Sequence, residues 1–210
     1  MQATRIFAAA VSVAVLAGCA GSSSTGQSDA AVRAKALEVM RASFKERGPV
    51  KLDRLDQDET QALCSQYAAM DVPKDVAAKI EKINMTSIKP PTDGKYLGDW
   101  KNGEKIAQSG RGFQWSDSAN TVAGANCYAC HQLSKAEISY GTIGPSLYQF
   151  AKLRGYGPET QKYAWGKVWN AEAYAACSNM PRFGHKGILT EQQVKDVVAL
   201  LMDPDSPVNK

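Results

Sequence analysis

The sequence lacks an apolar run long enough to cross a membrane, lacks a concentrated basic patch and contains only two histidines. The apolar stretch from Ile6 to Leu16 is shorter than a membrane span, and a mean hydropathy of -0.34 excludes a multispan membrane protein. The 25 basic and 21 acidic side chains are spread along the 210 residues. We therefore expect no nucleic-acid partner.

The sequence also lacks an internal repeat and any alternation of apolar and polar residues long enough for a β-strand. Helical spacing is frequent instead, most clearly where Val194, Val197, Val198 and Leu201 follow a capping box at Thr190. We therefore predict an all-α fold with long loops. The predicted helices are Ala30 to Arg47, Asp58 to Met70, one that begins at Pro73, Trp100 to Gln108, Pro158 to Ala176, and one between Thr190 and Asp203.

Residues 1–19 are typical of a bacterial export signal, with Arg5 before the apolar stretch and small residues after it. The sequence Leu16-Ala17-Gly18-Cys19 resembles the lipobox of bacterial lipoproteins, which implies that Cys19 is acylated and becomes the mature N-terminus. The alternative is a small-residue cleavage site for ordinary secretion. Both interpretations place the mature protein in the periplasm, tethered to the membrane in the first case.

Composition divides the exported part into three. Residues 20–29 are rich in glycine and serine and predict a flexible tether. Residues 30–95 predict a helical extension, which ends where the prolines and glycine of Lys89 to Gly94 interrupt every helical pattern. Residues 96–210 form the main predicted domain.

The main domain contains Cys127-Tyr128-Ala129-Cys130-His131, which has the spacing of a c-type haem attachment site. Two thiols at this spacing bond to the two vinyl groups of one haem, and the adjacent histidine lies under the iron. A thioredoxin-like dithiol and a structural zinc site are the alternatives. Neither a βαβ pattern nor a second pair of zinc ligands accompanies the motif, so we predict one covalently bound haem c.

Three possibilities exist for the sixth coordination position of the iron: Met180, His185, or no protein ligand. Met180 lies just before a proline, between two predicted helices, in a segment with little else to bury it. A thioether raises the reduction potential of haem iron above that given by a second imidazole and closes the site to small molecules. We favour Met180 and electron transfer over ligand binding.

Two cysteines, Cys64 and Cys177, have no use in these motifs. A buried free thiol is the alternative for each, but two unassigned cysteines in an oxidising compartment pair more often than not. We therefore expect a Cys64 to Cys177 disulfide, which would restrain the segment that holds Met180.

Three segments, taken in order, resemble class I cytochromes c: Cys127 to His131, Gly141-Thr142-Ile143-Gly144-Pro145-Ser146-Leu147, and Asn179-Met180-Pro181-Arg182-Phe183-Gly184. With the tail from Asp196 to Lys210 they are similar, more narrowly, to the SoxX family, the mono-haem subunits of SoxAX cytochrome complexes. The resemblance covers about residues 96–210. It implies a class I cytochrome c domain that follows the helical extension.

The resemblance assigns roles to individual residues. It implies that Cys127 and Cys130 form the thioethers, that His131 and Met180 are the axial ligands, and that the carbonyl oxygen of Pro145 accepts the proton on the second nitrogen of His131. It also implies that Gly103 lies where the first and last helices of the domain cross closely. The alternative for Gly103 is an ordinary turn.

The resemblance also implies partners. In the SoxX family a SoxA subunit forms a heterodimer with the mono-haem chain and carries the site where thiosulfate is oxidatively joined to a cysteine of the carrier SoxYZ. The mono-haem chain accepts the electrons and passes them to a downstream cytochrome, and is itself not catalytic within this L-cysteine S-thiosulfotransferase complex. The alternatives are a freestanding periplasmic electron shuttle and a haem sensor or small peroxidase with an open iron.

Overall fold

The computed structural model describes residues 26–68 and 70–210. Within these ranges the chain is helical and contains no β-strand, which confirms the predicted all-α class. The α-helices are α1 (Gly26–Ser43), α2 (Glu59–Gln66), α3 (Lys74–Met85), α4 (Trp100–Gln108), α5 (Phe150–Arg154), α6 (Pro158–Trp169) and α7 (Glu191–Met202). Short 3₁₀ turns cover Leu52–Leu55, Cys127–Ala129, Ala171–Ala173 and Pro207–Asn209.

The predicted signal segment 1–19, with Cys19, and residues 20–25 of the predicted tether lie outside the described residues. None of the helices in the described part is both long and apolar enough to cross a membrane.

Helix α1 belongs to a compact unit that ends at Ser43, and a second unit spans Phe44–Lys210. The helix begins at Gly26, so the prediction that residues 26–29 are part of a flexible tether is wrong. It ends at Ser43 instead of Arg47, and Arg47 forms a backbone bridge with Val50 in which each N–H bonds to the other's carbonyl, at 3.1 and 3.0 Å. Every side chain from Ala30 to Ser43 is exposed.

Helix α2 starts with a full capping box. The Asp58 carboxylate accepts from the backbone N–H of Gln61 at 3.0 Å, and the Gln61 side chain accepts from the N–H of Asp58 at 3.1 Å. Helix α2 is held to α3 by a buried hydrogen bond from the Asn84 amide to the Thr60 hydroxyl, at 2.8 Å. The two helices therefore behave as one layer of the extension.

Helices α4 and α7 cross at Gly103, as expected from the family resemblance. A Cβ at Gly103 would overlap the backbone carbonyl of Asp196, so only glycine lets the two helices approach this closely. The Asp196 carboxylate accepts from the N–H of Asp99 at 2.9 Å, and this bond fixes the start of α4 on α7. Val194 and Leu200 are fully buried beneath the crossing.

Helix α6 ends at Trp169, so the prediction of one helix to Ala176 is wrong. Asn170 adopts extended backbone and its side chain accepts from the N–H of Glu172, which starts the next 3₁₀ turn. The Asn170 amide also donates to Asn84 at 2.9 Å and to Ser87 at 2.7 Å. These buried bonds to the extension replace the last turns of the predicted helix.

Two tryptophans of α6 attach the end of the extension to the main domain. The Trp165 and Trp169 rings stack with centroids 5.3 Å apart. Their indole N–H groups donate to the carbonyls of Lys89 at 2.8 Å and Ser87 at 3.2 Å. The extension from Phe44 onward and the main domain consequently form one compact unit.

Candidate functional site

The haem attachment motif lies on a 3₁₀ turn at Cys127–Ala129. Asn126 precedes it in the left-handed conformation, with φ of 47°, and the backbone N–H of His131 closes the turn onto the Cys127 carbonyl at 2.9 Å. Neither Cys127 nor Cys130 is in a disulfide. The pKa of the Cys127 thiol is raised to about 12, because the surrounding protein removes the water that would stabilise a thiolate.

A second segment, Gly141 to Leu147, lies alongside this turn. Three backbone hydrogen bonds join them: from Gly141 to Tyr128 at 2.8 Å, from Gly144 to Cys130 at 2.9 Å, and from Leu147 to Gln132 at 2.7 Å. This register places the Pro145 carbonyl beside the imidazole. A Cβ at Gly144 would overlap the His131 ring, so this position needs glycine for the ring to fit.

The Pro145 carbonyl determines the protonation pattern of His131. The ring Nδ1 lies 2.7 Å from the Pro145 oxygen, and because a carbonyl can only accept, Nδ1 carries the proton and donates it. Nε2 is then the ring nitrogen whose lone pair can bind a metal. The bond also fixes the ring's orientation.

Met180 lies on the segment between the 171–173 turn and α7. It is half-buried and packs against the hydrophobic cluster that Cys127 also contacts. Its backbone N–H donates to the Ser178 hydroxyl at 3.2 Å. His185, the alternative ligand, is exposed, and its backbone N–H bonds to the Trp169 carbonyl at 3.0 Å.

The Cys64 and Cys177 sulfurs are bonded at 2.05 Å, which is the pairing expected from the sequence. The bond joins α2 to the residue three positions before Met180. Cys177 has a φ of 58°, in the left-handed region, and its N–H donates to the buried Glu172 carboxylate at 2.6 Å. Burial raises the pKa of Glu172, and the hydrogen bond from Cys177 opposes that rise.

Sequence reasoning missed an ionic group on the other side of Met180. The Asp58 carboxylate lies 2.6 Å from the Arg182 guanidinium and 2.6 Å from the Lys186 ammonium. Burial alone would raise the pKa of Asp58, but hydrogen bonds from Lys186, Gln61 and Arg182 lower it to about 2. The only signal in the sequence was the role of Asp58 as a helix cap, which gives no indication of a partner 124 residues away.

The donor set fits a covalently attached haem. Two thiols outside any disulfide stand three positions apart, the adjacent imidazole keeps Nε2 for a metal, and a thioether lies against the same core. Gly144 leaves the space that the imidazole occupies. The structure thus places Cys127, Cys130, His131 and Pro145 together.

Comparisons with known proteins found similarities of three kinds. The model of the cytochrome c family matches residues 116–203. An uncharacterized lipoprotein of Aquifex aeolicus (strain VF5) is 39% identical over 161 residues, which are 73% of this chain and 73% of that protein. The crystal structure of SoxXA from P. pantotrophus is 28% identical, with 51% of this chain and 82% of that chain covered, at a TM-score of 0.36.

Proposed function

We propose that this chain, whose residues 116–203 match the cytochrome c family and which carries one covalently bound haem c, is the electron-accepting subunit of a SoxAX-type complex. In such a complex thiosulfate is oxidatively joined to a carrier-protein cysteine, and the electrons pass through this chain to a downstream cytochrome. The observation that carries the electron-transfer role is the hydrogen bond of 2.7 Å from His131 Nδ1 to the Pro145 carbonyl, which reserves Nε2 for iron.

The ligand roles follow from the donor chemistry. Cys127 and Cys130 would hold the group through thioether bonds, while His131 Nε2 and the Met180 sulfur would be the axial ligands. When bound, the haem supplies a centre that accepts and releases one electron. The Pro145 carbonyl would keep the proton on Nδ1 of His131, and a thioether ligand from Met180 would favour the reduced iron and exclude small molecules.

The proposed reaction fixes how many electrons must leave. A carrier thiol and thiosulfate form one sulfur–sulfur bond, which releases one proton and two electrons, and the sulfonate oxygens are retained. A chain with a single haem handles one electron at a time. Each conjugation therefore requires two successive transfers out of this subunit.

The SoxX assignment rests on the methionine segment and the tail, and that tail is built into the core. Val208 is fully buried, and the Asn209 side chain accepts from the N–H of Ala151 at 3.1 Å and donates to the Leu201 carbonyl at 3.0 Å. The Ser206 hydroxyl donates to the Leu200 carbonyl at 2.7 Å. These contacts fix the end of α7.

The location follows from the first residues. We propose that residues 1–19 direct export and that Cys19 is acylated, so that residues 20–25 connect a membrane anchor to the structured chain in the periplasm. The relative from Aquifex aeolicus bears the name lipoprotein. An anchored subunit would keep the complex close to the membrane.

Purification of the tagged mature protein from its native envelope tests the function. We expect a second haem-bearing chain, of the SoxA type, to elute at fixed stoichiometry, and we expect the weak near-infrared sulfur-to-iron band of methionine ligation in the oxidised complex. The purified complex should become reduced on addition of thiosulfate and carrier protein. A lone cytochrome with the same band would support a freestanding electron shuttle instead, and loss of the band would remove Met180 as the ligand.

A further inference from the structure

Residues of the extension contact the Met180 segment on both sides of the methionine. Cys64 of α2 is bonded to Cys177, three residues before Met180, and Asp58 at the cap of α2 pairs with Arg182, two residues after it. We propose that Asp58 and Cys64 are positioning residues that hold the Met180 sulfur at the iron. We call these two residues the clamp. The proposal rests on Met180 being the axial ligand.

The Met180 segment depends on other parts of the chain for its position. The backbone N–H of Ala176 donates to the Glu81 side chain at 3.3 Å, and that of Cys177 donates to Glu172 at 2.6 Å. The N–H of Met180 donates to the Ser178 hydroxyl at 3.2 Å. These donors bond to side chains instead of to a helical ladder, so the backbone path is set by the groups around it.

The pair of Asp58 and Arg182 is suited to hold the segment. The Arg182 side chain is 8% exposed and the Asp58 side chain 31%, and their atoms approach to 2.6 Å. An ion pair this sheltered is screened less by solvent than one on the surface, and removal of Asp58 leaves the buried Arg182 guanidinium without the carboxylate to which it donates. Movement of Arg182 away from α2 is therefore costly.

The disulfide holds the Met180 segment on the N-terminal side of the methionine. Cys177 adopts a left-handed conformation that residues other than glycine keep only where their surroundings hold it. Its covalent bond to α2 and its hydrogen bond to Glu172 together hold that conformation. Met180 is thus bracketed by two attachments to the same helix.

The proposed role of the clamp differs from general stabilisation of the fold. Contacts that only stabilise would raise the free energy of unfolding of the whole unit. The clamp, in contrast, determines how readily Met180 leaves the iron while the protein stays folded. Imidazole binds ferric haem only when the methionine leaves, so its affinity reports this local opening. The free energy of unfolding of the whole unit reports a purely stabilising role.

Two variants of the complete haem-loaded protein test the proposal. Asp58→Asn retains the helix cap, because asparagine caps as well as aspartate, but removes the negative charge that faces Arg182 and Lys186. Cys64→Ala combined with Cys177→Ala removes the covalent attachment. The control is Glu59→Gln, the same change of acid to amide at the next residue, where Glu59 pairs with Lys79 on the exposed surface at 3.0 Å.

We expect Asp58→Asn to bind imidazole about tenfold more tightly in the ferric state, which corresponds to about 1.4 kcal/mol. The near-infrared band should weaken at a lower temperature than in the natural protein, and Glu59→Gln should stay within about twofold in imidazole affinity. The double cysteine variant should likewise bind imidazole more tightly and lose the near-infrared band at a lower temperature. If that variant does not accumulate, Asp58→Asn decides alone.

The clamp would be overturned if Asp58→Asn bound imidazole within about twofold of the natural protein but had a lower denaturation midpoint. Asp58 would then only stabilise the fold. Absence of the band from the natural protein would overturn both the clamp and Met180 ligation. The presence of the band in the natural protein, with unchanged imidazole binding in the variants, would leave the proposed function intact and remove only the clamp.

Discussion

The Pro145 carbonyl decides which nitrogen of His131 carries the proton, although the two residues are 14 positions apart. Their meeting depends on backbone bonds such as that from Gly144 to Cys130, at 2.9 Å. The spacing of Cys127, Cys130 and His131 can be interpreted directly from the sequence, because attachment chemistry demands it. The role of Pro145 could be expected only from family resemblance, because a main-chain oxygen leaves no trace in residue type.

Asp58 gives a pH dependence at the same scale. Its folded pKa of about 2 lies below the ordinary 3.8, so its contribution to stability is complete above about pH 4 and is lost as the pH falls through about 2. Because the Asp58 side chain is partly exposed and solvent screens its partners, we expect this contribution to be about 1 kcal/mol. Urea unfolding of the natural protein and of Asp58→Asn between pH 5 and 2 measures this contribution to the free energy of unfolding. The neighbouring charged and titratable groups are present in both proteins, so their effects cancel in the comparison: Arg182, Lys186, Glu172 and His185.

We expect the natural protein to be more stable than Asp58→Asn at pH 5 and the two to converge towards pH 2. An equal difference at both pH values would show that the Asp58 charge does not contribute through its ionisation.

At the scale of elements, amphipathic spacing and caps predicted most of the helices. Helix α7 begins after the Thr190 and Gln193 capping box, as its sequence predicts. The error at α6 has a tertiary cause, because Asn170 is drawn out of the helix by buried bonds to Asn84 and Ser87. A local pattern contains no information about partners more than 80 residues away.

The crossing of α4 and α7 supplies a prediction for two elements together. In Gly103→Ala the new methyl would overlap the Asp196 carbonyl, so the helices must move apart. Overpacking of this kind costs about 1 to 3 kcal/mol or more, while alanine gains about 1 kcal/mol in helix propensity. We expect a net loss of about 1 to 2 kcal/mol in the free energy of unfolding, measured by denaturant titration.

Gly157→Ala is the matched control, because a Cβ there meets no atom within 4 Å and the φ of -73° suits alanine. We expect it to change stability by less than about 1 kcal/mol. Equal effects at the two glycines would mean that the crossing tolerates a side chain.

At the scale of the whole molecule, the extension from Phe44 onward and the haem domain are one unit, and two of the contacts between them flank Met180. The disulfide could be expected from counting cysteines in an exported chain. The ion pair of Asp58 and Arg182 could not, because charged residues are common on surfaces and only the fold brings these two together. The sequence therefore predicts that an extension exists, and the structure adds where it attaches.

The proposed anchor gives a prediction for the complete chain. If Cys19 carries at least two acyl chains, the natural protein should sediment with membranes, because more than one chain is enough for stable anchoring. Replacement of residues 1–19 with an ordinary secretory signal removes Cys19 and should move the protein to the soluble periplasmic fraction. Immunoblots of both fractions and mass spectrometry of the mature N-terminus measure this.

Haem content is the control for that experiment and should be unchanged, because the attachment residues lie far along the chain from the signal. A natural protein that is soluble and carries an unmodified N-terminus would contradict acylation.

The Cys64 to Cys177 disulfide also constrains how the exported chain matures. The chain emerges from its N-terminus, so Cys64 meets Cys127 and Cys130 before its native partner, and four thiols can pair in three ways. Only reduced thiols can add to haem vinyl groups. If haem attaches before Cys177 emerges, both competing thiols are consumed, and the native disulfide is then the last cysteine bond to form.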